Sequence, residues 1–534
     1  MKDTKQNTTG KVYLVGAGPS DPGLLTIKGL QVLQQAQVVI YDALIGPGIY
    51  SLIPPEAEKI SVGKRAGQHS AKQEDISRLI LDQARKGRTV VRLKGGDPFL
   101  FGRGGEELEL LLEHQIPYEI VPGVTSAIAV PAYAGIPVTY RGISSGVHIL
   151  TGHRKQDEPL EIDFEALLRA GGTYVFLMGV AALHEIVSGF LRAGMPPAMP
   201  AAVIAQGTGA GQVRVSAPLD RLEQEVRSRQ IKTPAVIVIG QTAALGDRFA
   251  WREQLPLSQS CILVTRPASR SGKLAGMLRN LGAEVLEIPA IRTKVRDCTD
   301  RLSEVLAVID SYDFMVFTSP AGVEHFFALL DQMELDIRCI GRIKLAVIGS
   351  ATGDALKKRG LRPELMPDRY NSIQLGRLLG RSVPAGGKVL LLRSAQGSVQ
   401  LVRQIQSEQQ IEVTDLAIYD TVDTCEPDRD GNGPYLHTLF RDGRIEMVMF
   451  TSASTVRGFV KMTEGMDHTK VRALCIGQMT AEQASAYGMQ VYLSEKETVE
   501  SMVEAAVQLH GKLLSGNRDI DQSKRSENDG LTVV

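Results

Sequence analysis

The residues of this 534-residue chain best suited to chemistry lie in turns where an apolar run ends in glycine, serine or threonine. KVYLVGAGPSDPGLL (11–25) is the first such turn. A glycine turn between strand and helix can bring backbone amides up to a phosphate. The dinucleotide pattern GxGxxG nevertheless fails here, because Asp21 stands where its third glycine belongs and Pro19 lacks an amide proton. In LKGGDPFLFGRGGEE (93–107), Gly95 and Gly96 allow close backbone approach, as Pro19 does in the first turn, and Asp97 can accept hydrogen bonds from a polar ligand. Glu106 and Glu107 suit a solvated first helical turn, and Lys64 a plain surface loop. Further along, FTS occurs at 317–319 and again at 450–452, with IGSAT at 348–352 and IGQMT at 476–480. Hydroxyls of Thr318, Ser319, Thr352, Ser452 and Thr480, with amides at helix N-termini, can hold carboxylates without a cationic patch. Their plainer role is helix N-capping.

The elements that must position these turns alternate. The apolar runs QVVIYD (37–42), TVVRLKGG (89–96), GVHILTG (146–152), GTYVFLMG (172–179), AAVIAQGT (201–208) and TPAVIVIG (233–240) each end near glycine or a small polar residue, with helix-length segments in several gaps. This is α/β patterning, and ligands of such sheets sit outside the carboxyl ends of the strands. The segment 246–260 lacks an apolar period and reads as a linker between 11–245 and a second region, 261–512, with residues 1–10 as an extension. Within the second region, FTSPAGVEHFF (317–327) resembles FTSASTVRGFV (450–460), LAVIGSATGDALKKRG (345–360) resembles ALCIGQMTAEQASAYG (473–488), and CILVTRPAS (261–269) resembles VLLLRSAQG (389–397). Three matches about 130 residues apart predict two similar lobes. LEIPAIR (286–292) and TDLAIYDTV (414–422) would be the strands crossing between them, and the polar tail 513–534 is predicted to be disordered.

Bulk properties narrow the function. Lys+Arg and Asp+Glu both number 60, so no global field draws in nucleic acid or an anionic membrane. No apolar run approaches the ~20 residues that span a bilayer. The N-terminus lacks signal-peptide features, so a cytoplasmic protein is expected. Five dispersed cysteines without CxxC spacing suggest neither disulfides nor zinc, and no metal is expected.

The ordered series VGAGPSDPGLLTIKG, YDALI, VGKRAG, LKGGDPFLFGRGGEE, VPGVTSAIAVPAYAGIPVTYRG, TGH, MGV and AQGT resembles the tetrapyrrole methylases, and most closely the uroporphyrinogen-III C-methyltransferases, along nearly all of 11–245. Ser20 stands where that family usually has Gly, and Tyr140 where it usually has His. The resemblance implies two α/β subdomains, a homodimer, and S-adenosyl-L-methionine bound in the cleft between the subdomains. Pro19, Gly95, Gly96, Asp97, Leu100, Thr125, Ser126, Met178 and Gly207 fall at its cofactor-binding positions. Apart from the resemblance, Met178 reads equally well as core filler. Asp42 and Lys64 match positions given acid–base roles, and Arg103 and Glu106 line the substrate side. An Arg is a poor base at its ordinary pKa, so Arg103 is expected to anchor a carboxylate. The implied reaction is methylation of uroporphyrinogen III at carbons 2 and 7, giving precorrin-2.

Residues 261–512 resemble uroporphyrinogen-III synthase through TRP (265–267), the paired FTS, IGSAT and IGQMT motifs, and the strand bearing Tyr419. The implied fold is a bilobed α/β synthase with a two-stranded inter-lobe linker, lobe one being 261–289 with 423–512 and lobe two 293–419. Its implied reaction is closure of hydroxymethylbilane with inversion of ring D, with Tyr419 as proton donor to the leaving hydroxyl. Two alternatives stand beside the fusion of two enzymes. One is a methyltransferase for another tetrapyrrole carrying a non-catalytic lobe pair; the other makes 261–512 a binding module for an anionic solute.

Overall fold

The computed structural model describes residues 9–63, 72–152, 160–266, 268–408, 410–423 and 432–528. The chain divides into two compact units, Met1–Ile288 with Cys425–Val534, and Pro289–Thr424. Three five-stranded sheets belong to the first unit and one to the second.

The first sheet is built from β1 (Val12–Gly16), β2 (Val38–Tyr41), β3 (Glu58–Ser61), β4 (Val90–Lys94) and β5 (Tyr118–Val121) in the order β3-β2-β4-β1-β5. All its pairings are parallel. Parallel strands are covered by crossover helices, which is why β1, β2 and β4 read as nearly unbroken apolar runs. The helix Gln73–Arg85 supplies part of the cover: Ile76, Ile80 and Ala84 recur at i, i+4 and are buried with Val12, Leu14, Val38 and Ile40. Each such Val, Ile or Leu contributes roughly 1.5–3 kcal/mol by leaving water. In this order the chain leaves β1 toward β2 but leaves β4 toward β5. With right-handed crossovers, connections of opposite direction run on opposite faces of the sheet. They diverge from the adjacent ends of β1 and β4, so the crevice at those carboxyl ends is the place a ligand would occupy.

A second sheet follows, with β6 (Val147–Thr151), β7 (Thr173–Leu177), β8 (Pro200–Ala205), β9 (Val213–Pro218) and β10 (Ala235–Ile239) in the order β6-β7-β10-β8-β9. Here β10 runs antiparallel to both β7 and β8. Segment 246–260 is well anchored despite its lack of apolar period. The Trp251 indole donates to Ala132 O at 3.1 Å, Arg252 is buried, and Leu257 is fully buried in the core of the next sheet. A segment that touches two cores needs only isolated apolar residues, so no periodicity marks it.

That next sheet comprises β11 (Cys261–Val264), β12 (Glu284–Glu287), β18 (Met447–Phe450), β19 (Arg472–Cys475) and β20 (Gln490–Leu493), all parallel, in the order β12-β11-β18-β19-β20. The second unit carries β13 (Ile291–Val295), β14 (Phe314–Phe317), β15 (Lys344–Val347), β16 (Lys388–Ser394) and β17 (Glu412–Asp423), ordered β13-β17-β16-β14-β15. The duplicated motifs explain the likeness of the two sheets. Taking β11 with β16, β18 with β14, and β19 with β15, both run in the same spatial order, with β12 matching β17 at the end. The two segments expected to cross between lobes contribute to β13 and β17, which pair antiparallel from Ile291↔Asp423 to Val295↔Tyr419; β17 also pairs with β16.

The chain's final helix runs Val499–Asn528, through the stretch from 513 where composition predicts disorder. Polar composition removes the drive to pack, but without proline it leaves helical hydrogen bonding open.

Candidate active sites

The two glycine turns meet at the divergence point. Gly18 and Gly96 form an isolated bridge, Gly18 N donating to Gly96 O at 3.2 Å and Gly96 N to Gly18 O at 3.0 Å. Both glycines have positive φ, 69° and 70°, which a side chain would resist. Ser20, two residues on, is also left-handed at φ 54°, a conformation that glycine would adopt without the roughly 1–2 kcal/mol a side chain costs. Asp97 closes the second turn: Oδ1 accepts from Phe99 N (2.8 Å) and Leu100 N (3.1 Å), and Oδ2 accepts from Gly123 N (3.0 Å). Thr125 caps the helix Ser126–Tyr133, accepting from Ala127 N at 3.3 Å. The Thr208 hydroxyl donates to Pro19 O and accepts from Asp21 N. Pro19, Gly95, Gly96, Asp97 and Ser126 thus lie together beyond the carboxyl ends of the first sheet, and Gly207, after β8 of the second, adjoins them through the Thr208–Pro19 bond. Leu100 packs on the second sheet's core. Met178 is 50% exposed with φ 55°, so the core-filler role is excluded. Met178 and Gly207 follow β7 and β8, the two strands flanking β10.

The predicted acid–base and substrate residues divide differently. Lys64 lies outside the described residues. Arg103 and Glu106 form a two-bonded pair at the mouth of the helix Gly104–Glu113, Nε–Oε1 2.8 Å and Nη2–Oε2 2.6 Å, with both side chains about half exposed. Glu106 raises the Arg103 pKa above its ordinary value, and Arg103 lowers that of Glu106. A guanidinium so paired is further from acting as a base and remains suited to an anionic partner. Asp42 follows β2, and its Oδ1 accepts from Arg92 Nη2 at 2.6 Å.

Arg92 opens a buried charge network that sequence reasoning missed. Its side chain is 2% exposed, and Nε donates to Oε1 of Glu107, which is fully buried. Lys94 Nζ and Gln73 Nε2 donate to that same oxygen, each at 3.0 Å. Glu107 therefore does not lie on a solvated helical turn. Its available signal was two cations inside the apolar strand VVRLK, which must find buried counter-charges.

In the second unit Ser319 caps the helix Pro320–Gln332, accepting from Gly322 N at 3.0 Å, and its Oγ lies 2.8 Å from the hydroxyl of Tyr419. Tyr419 is 5% exposed, with the His325 ring 5.0 Å away. Thr318 precedes the cap. In the first unit Ser452 caps Ala453–Met462 in the same manner, through Thr455 N. Thr352 and Thr480 occupy the first turns of equivalent helices, Ser350–Lys358 and Gln478–Ala486, and both are buried. Ser319 and Ser452 are caps, so the capping role holds for two of the five hydroxyls; Gly349 and Gly477 cap the other two helices.

A further contact within the first unit joins its third sheet to the first two. Tyr50 stacks on Tyr435 with ring centroids 3.9 Å apart, and Tyr50 OH and Lys59 Nζ both donate to Asn432 Oδ1. Glu284, at the start of β12, accepts from Ala210 N at 3.0 Å. Burial raises its carboxyl pKa, opposed by the Ala210 amide and by Arg444 and Arg252. Among the described residues no cluster of three His, Cys, Asp or Glu could hold a metal, and no helix is long and apolar enough to cross a membrane.

Residues 11–223 match the family model of the Tetrapyrrole (Corrin/Porphyrin) Methylases, and residues 272–504 match that of Uroporphyrinogen-III synthase HemD. The Porphyrin biosynthesis protein HemD of Ruminiclostridium josui is 40% identical over 502 residues, 94% of this chain and 98% of that protein. The uroporphyrinogen-III C-methyltransferase of Bacillus subtilis is 40% identical over 369 residues, 69% of this chain and 75% of that one. A crystal structure of the Thermus thermophilus uroporphyrin-III C-methyltransferase complexed with S-adenosylhomocysteine is 40% identical, covering 44% of this chain and 100% of its own, at a TM-score of 0.38. The chain is therefore a tetrapyrrole-biosynthesis fusion, a member of the tetrapyrrole methylases in its N-terminal half and of the uroporphyrinogen-III synthases in its C-terminal half.

Proposed function

We propose that the C-terminal half closes hydroxymethylbilane to uroporphyrinogen III with inversion of ring D, and that the N-terminal half methylates this product at carbons 2 and 7 to precorrin-2. The observation that carries the proposal is the near end-to-end match to a porphyrin-biosynthesis relative that spans both halves. The methyl source is S-adenosyl-L-methionine, which supplies an electrophilic methyl group. The residues at the strand ends suit such a ligand: the Gly18–Gly96 contact keeps the crevice free of side chains, exposed Met178 offers an apolar contact, and Thr125 and Ser126 supply hydroxyls beside a helix N-terminus.

In methylation the electron-rich pyrrole carbon attacks directly, one carbon–carbon bond forms as a carbon–sulfur bond breaks, and a proton is then lost from the substrate. The chain's task is alignment and proton removal. Asp42 is read as the acceptor of that proton, and Lys64 as a second acid–base group. The Arg103–Glu106 pair lines the substrate side, Arg103 turning to a substrate carboxylate. In the synthase half, Tyr419 protonates the departing hydroxyl, which leaves as water, and cap amides with the Ser and Thr hydroxyls hold the carboxylate side chains. The protein is read as a cytoplasmic homodimer assembled through its methyltransferase half.

Incubating the chain with hydroxymethylbilane and S-adenosyl-L-methionine, followed by mass and isomer analysis, tests the whole reading. A type-III product bearing two added methyl groups is expected. Tight binding of hydroxymethylbilane without ring closure would instead make the C-terminal half a binding module.

A further inference from the structure

Glu284 belongs by chain position to the synthase half, yet its carboxylate faces a loop of the methyltransferase half. It begins β12, where its amide donates to Ser260 O at 2.9 Å and its backbone is in register with Cys261. The side chain is 5% exposed. Oε2 accepts from Ala210 N at 3.0 Å, while Oε1 is buried with no hydrogen-bond partner among the described residues. On the synthase side Arg444 Nη2 stands 3.9 Å from Oε2. A carboxylate buried so completely is costly unless its contacts repay desolvation. Among the described residues, the Ala210 amide is the one hydrogen-bond donor to the Glu284 side chain.

The loop it grips leads straight to the donor crevice. Gly209 lies between Glu284 and the first glycine turn, and a Cβ there would come 3.3 Å from Glu284 Oε2 and 3.5 Å from Ser20 Oγ. Thr208 bonds Pro19 O and Asp21 N, and its own amide donates to Gln212 Oε1 at 2.8 Å. From the other side Arg252, also buried, donates to Gly209 O at 3.4 Å with its guanidinium 5.4 Å from the Tyr133 ring; the Tyr133 hydroxyl donates to Asp21 Oδ2 at 2.8 Å. Loop 206–212 is thus held between a synthase carboxylate and the turn Pro19–Asp21.

We propose that Glu284 is a positioning residue for the methyl-donor site: from the synthase half it fixes loop 206–212, and through Thr208 and Gly209 the Pro19–Asp21 turn. The inference rests on the proposed donor site at those strand ends. It makes the synthase half a structural part of the methyltransferase.

The test uses the full chain, with S-adenosylhomocysteine as calorimetric probe, methylation of supplied uroporphyrinogen III, and ring closure of hydroxymethylbilane measured separately. Glu284→Ala is expected to weaken S-adenosylhomocysteine binding and raise the KM for the methyl donor roughly three- to tenfold. The KM for uroporphyrinogen III and the ring-closure rate should stay unchanged. Glu284→Gln keeps an acceptor for Ala210 N and should restore most of the binding. Glu284→Asp, shorter by one methylene, should reproduce the alanine effect and decides the matter if the alanine variant does not fold. Wild-type affinity in folded Glu284→Ala, or in Glu284→Asp, overturns the inference. Failure of the unaltered chain to bind S-adenosylhomocysteine would instead overturn the donor site itself.

Discussion

Asp42 accepts a 2.6 Å hydrogen bond from Arg92, a guanidinium 2% exposed that also reaches the fully buried Glu107. The carboxylate at the end of β2 is therefore held from behind by a charge whose other face is already neutralised. Removing one member of a buried pair strands the other, which costs about 3–5 kcal/mol. Arg92→Met should lower unfolding stability by that order and abolish methylation. Asp42→Asn, at a partly exposed position, should stay within about 1 kcal/mol of the parent while methylation falls at least as far. Denaturant titration paired with methyl-transfer rates separates the two, and a stable Arg92→Met would show that the network is not held by charge.

Asp97 engages three amides with two oxygens, so its replacement acts on the turn before it acts on any ligand. Asp97→Ala is expected to lose about 1–3 kcal/mol of stability and to weaken S-adenosylhomocysteine binding. Asp97→Asn, which retains one acceptor, should fall between alanine and the parent in both. Melting curves and calorimetry on the same samples check this, and unchanged affinity in the alanine variant would remove Asp97 from the donor site.

The hydroxyls of Ser319 and Tyr419, 2.8 Å apart, tie a helix cap to the proposed proton donor. Tyr419→Phe should cut ring closure by about 10²–10⁴-fold, the range of general acid catalysis. Ser319→Ala should cost about 1 kcal/mol as a lost cap and reduce ring closure less. Neither should alter methylation of supplied uroporphyrinogen III. Full ring-closure turnover by Tyr419→Phe would exclude the donor role.

What the chain disclosed in advance follows from how locally each feature is encoded. The glycine turns, the α/β alternation and the paired FTS motifs are short patterns tied to strand ends, and they mapped onto one crevice and two similarly ordered sheets. Glu107 was illegible because an acidic residue in a first helical turn looks alike whether it faces water or a buried cation. Arg92 and Lys94 carried the missing hint inside β4. Glu284 offered none: its partner Ala210 is 74 residues away and contributes only a backbone amide, which no side-chain pattern records.

The split construction of the third sheet has a consequence during synthesis on the ribosome. Strands β11 and β12 emerge together, but β18, the neighbour that covers the other side of β11, follows about 180 residues later. At about 5–20 residues per second the nascent chain carries an open strand edge for roughly 10–40 s. Through that interval the methyltransferase half, already synthesised, is the surface against which Glu284 can lodge through the Ala210 amide. Translation order thus makes the second enzyme of the reaction sequence a folding platform for the first.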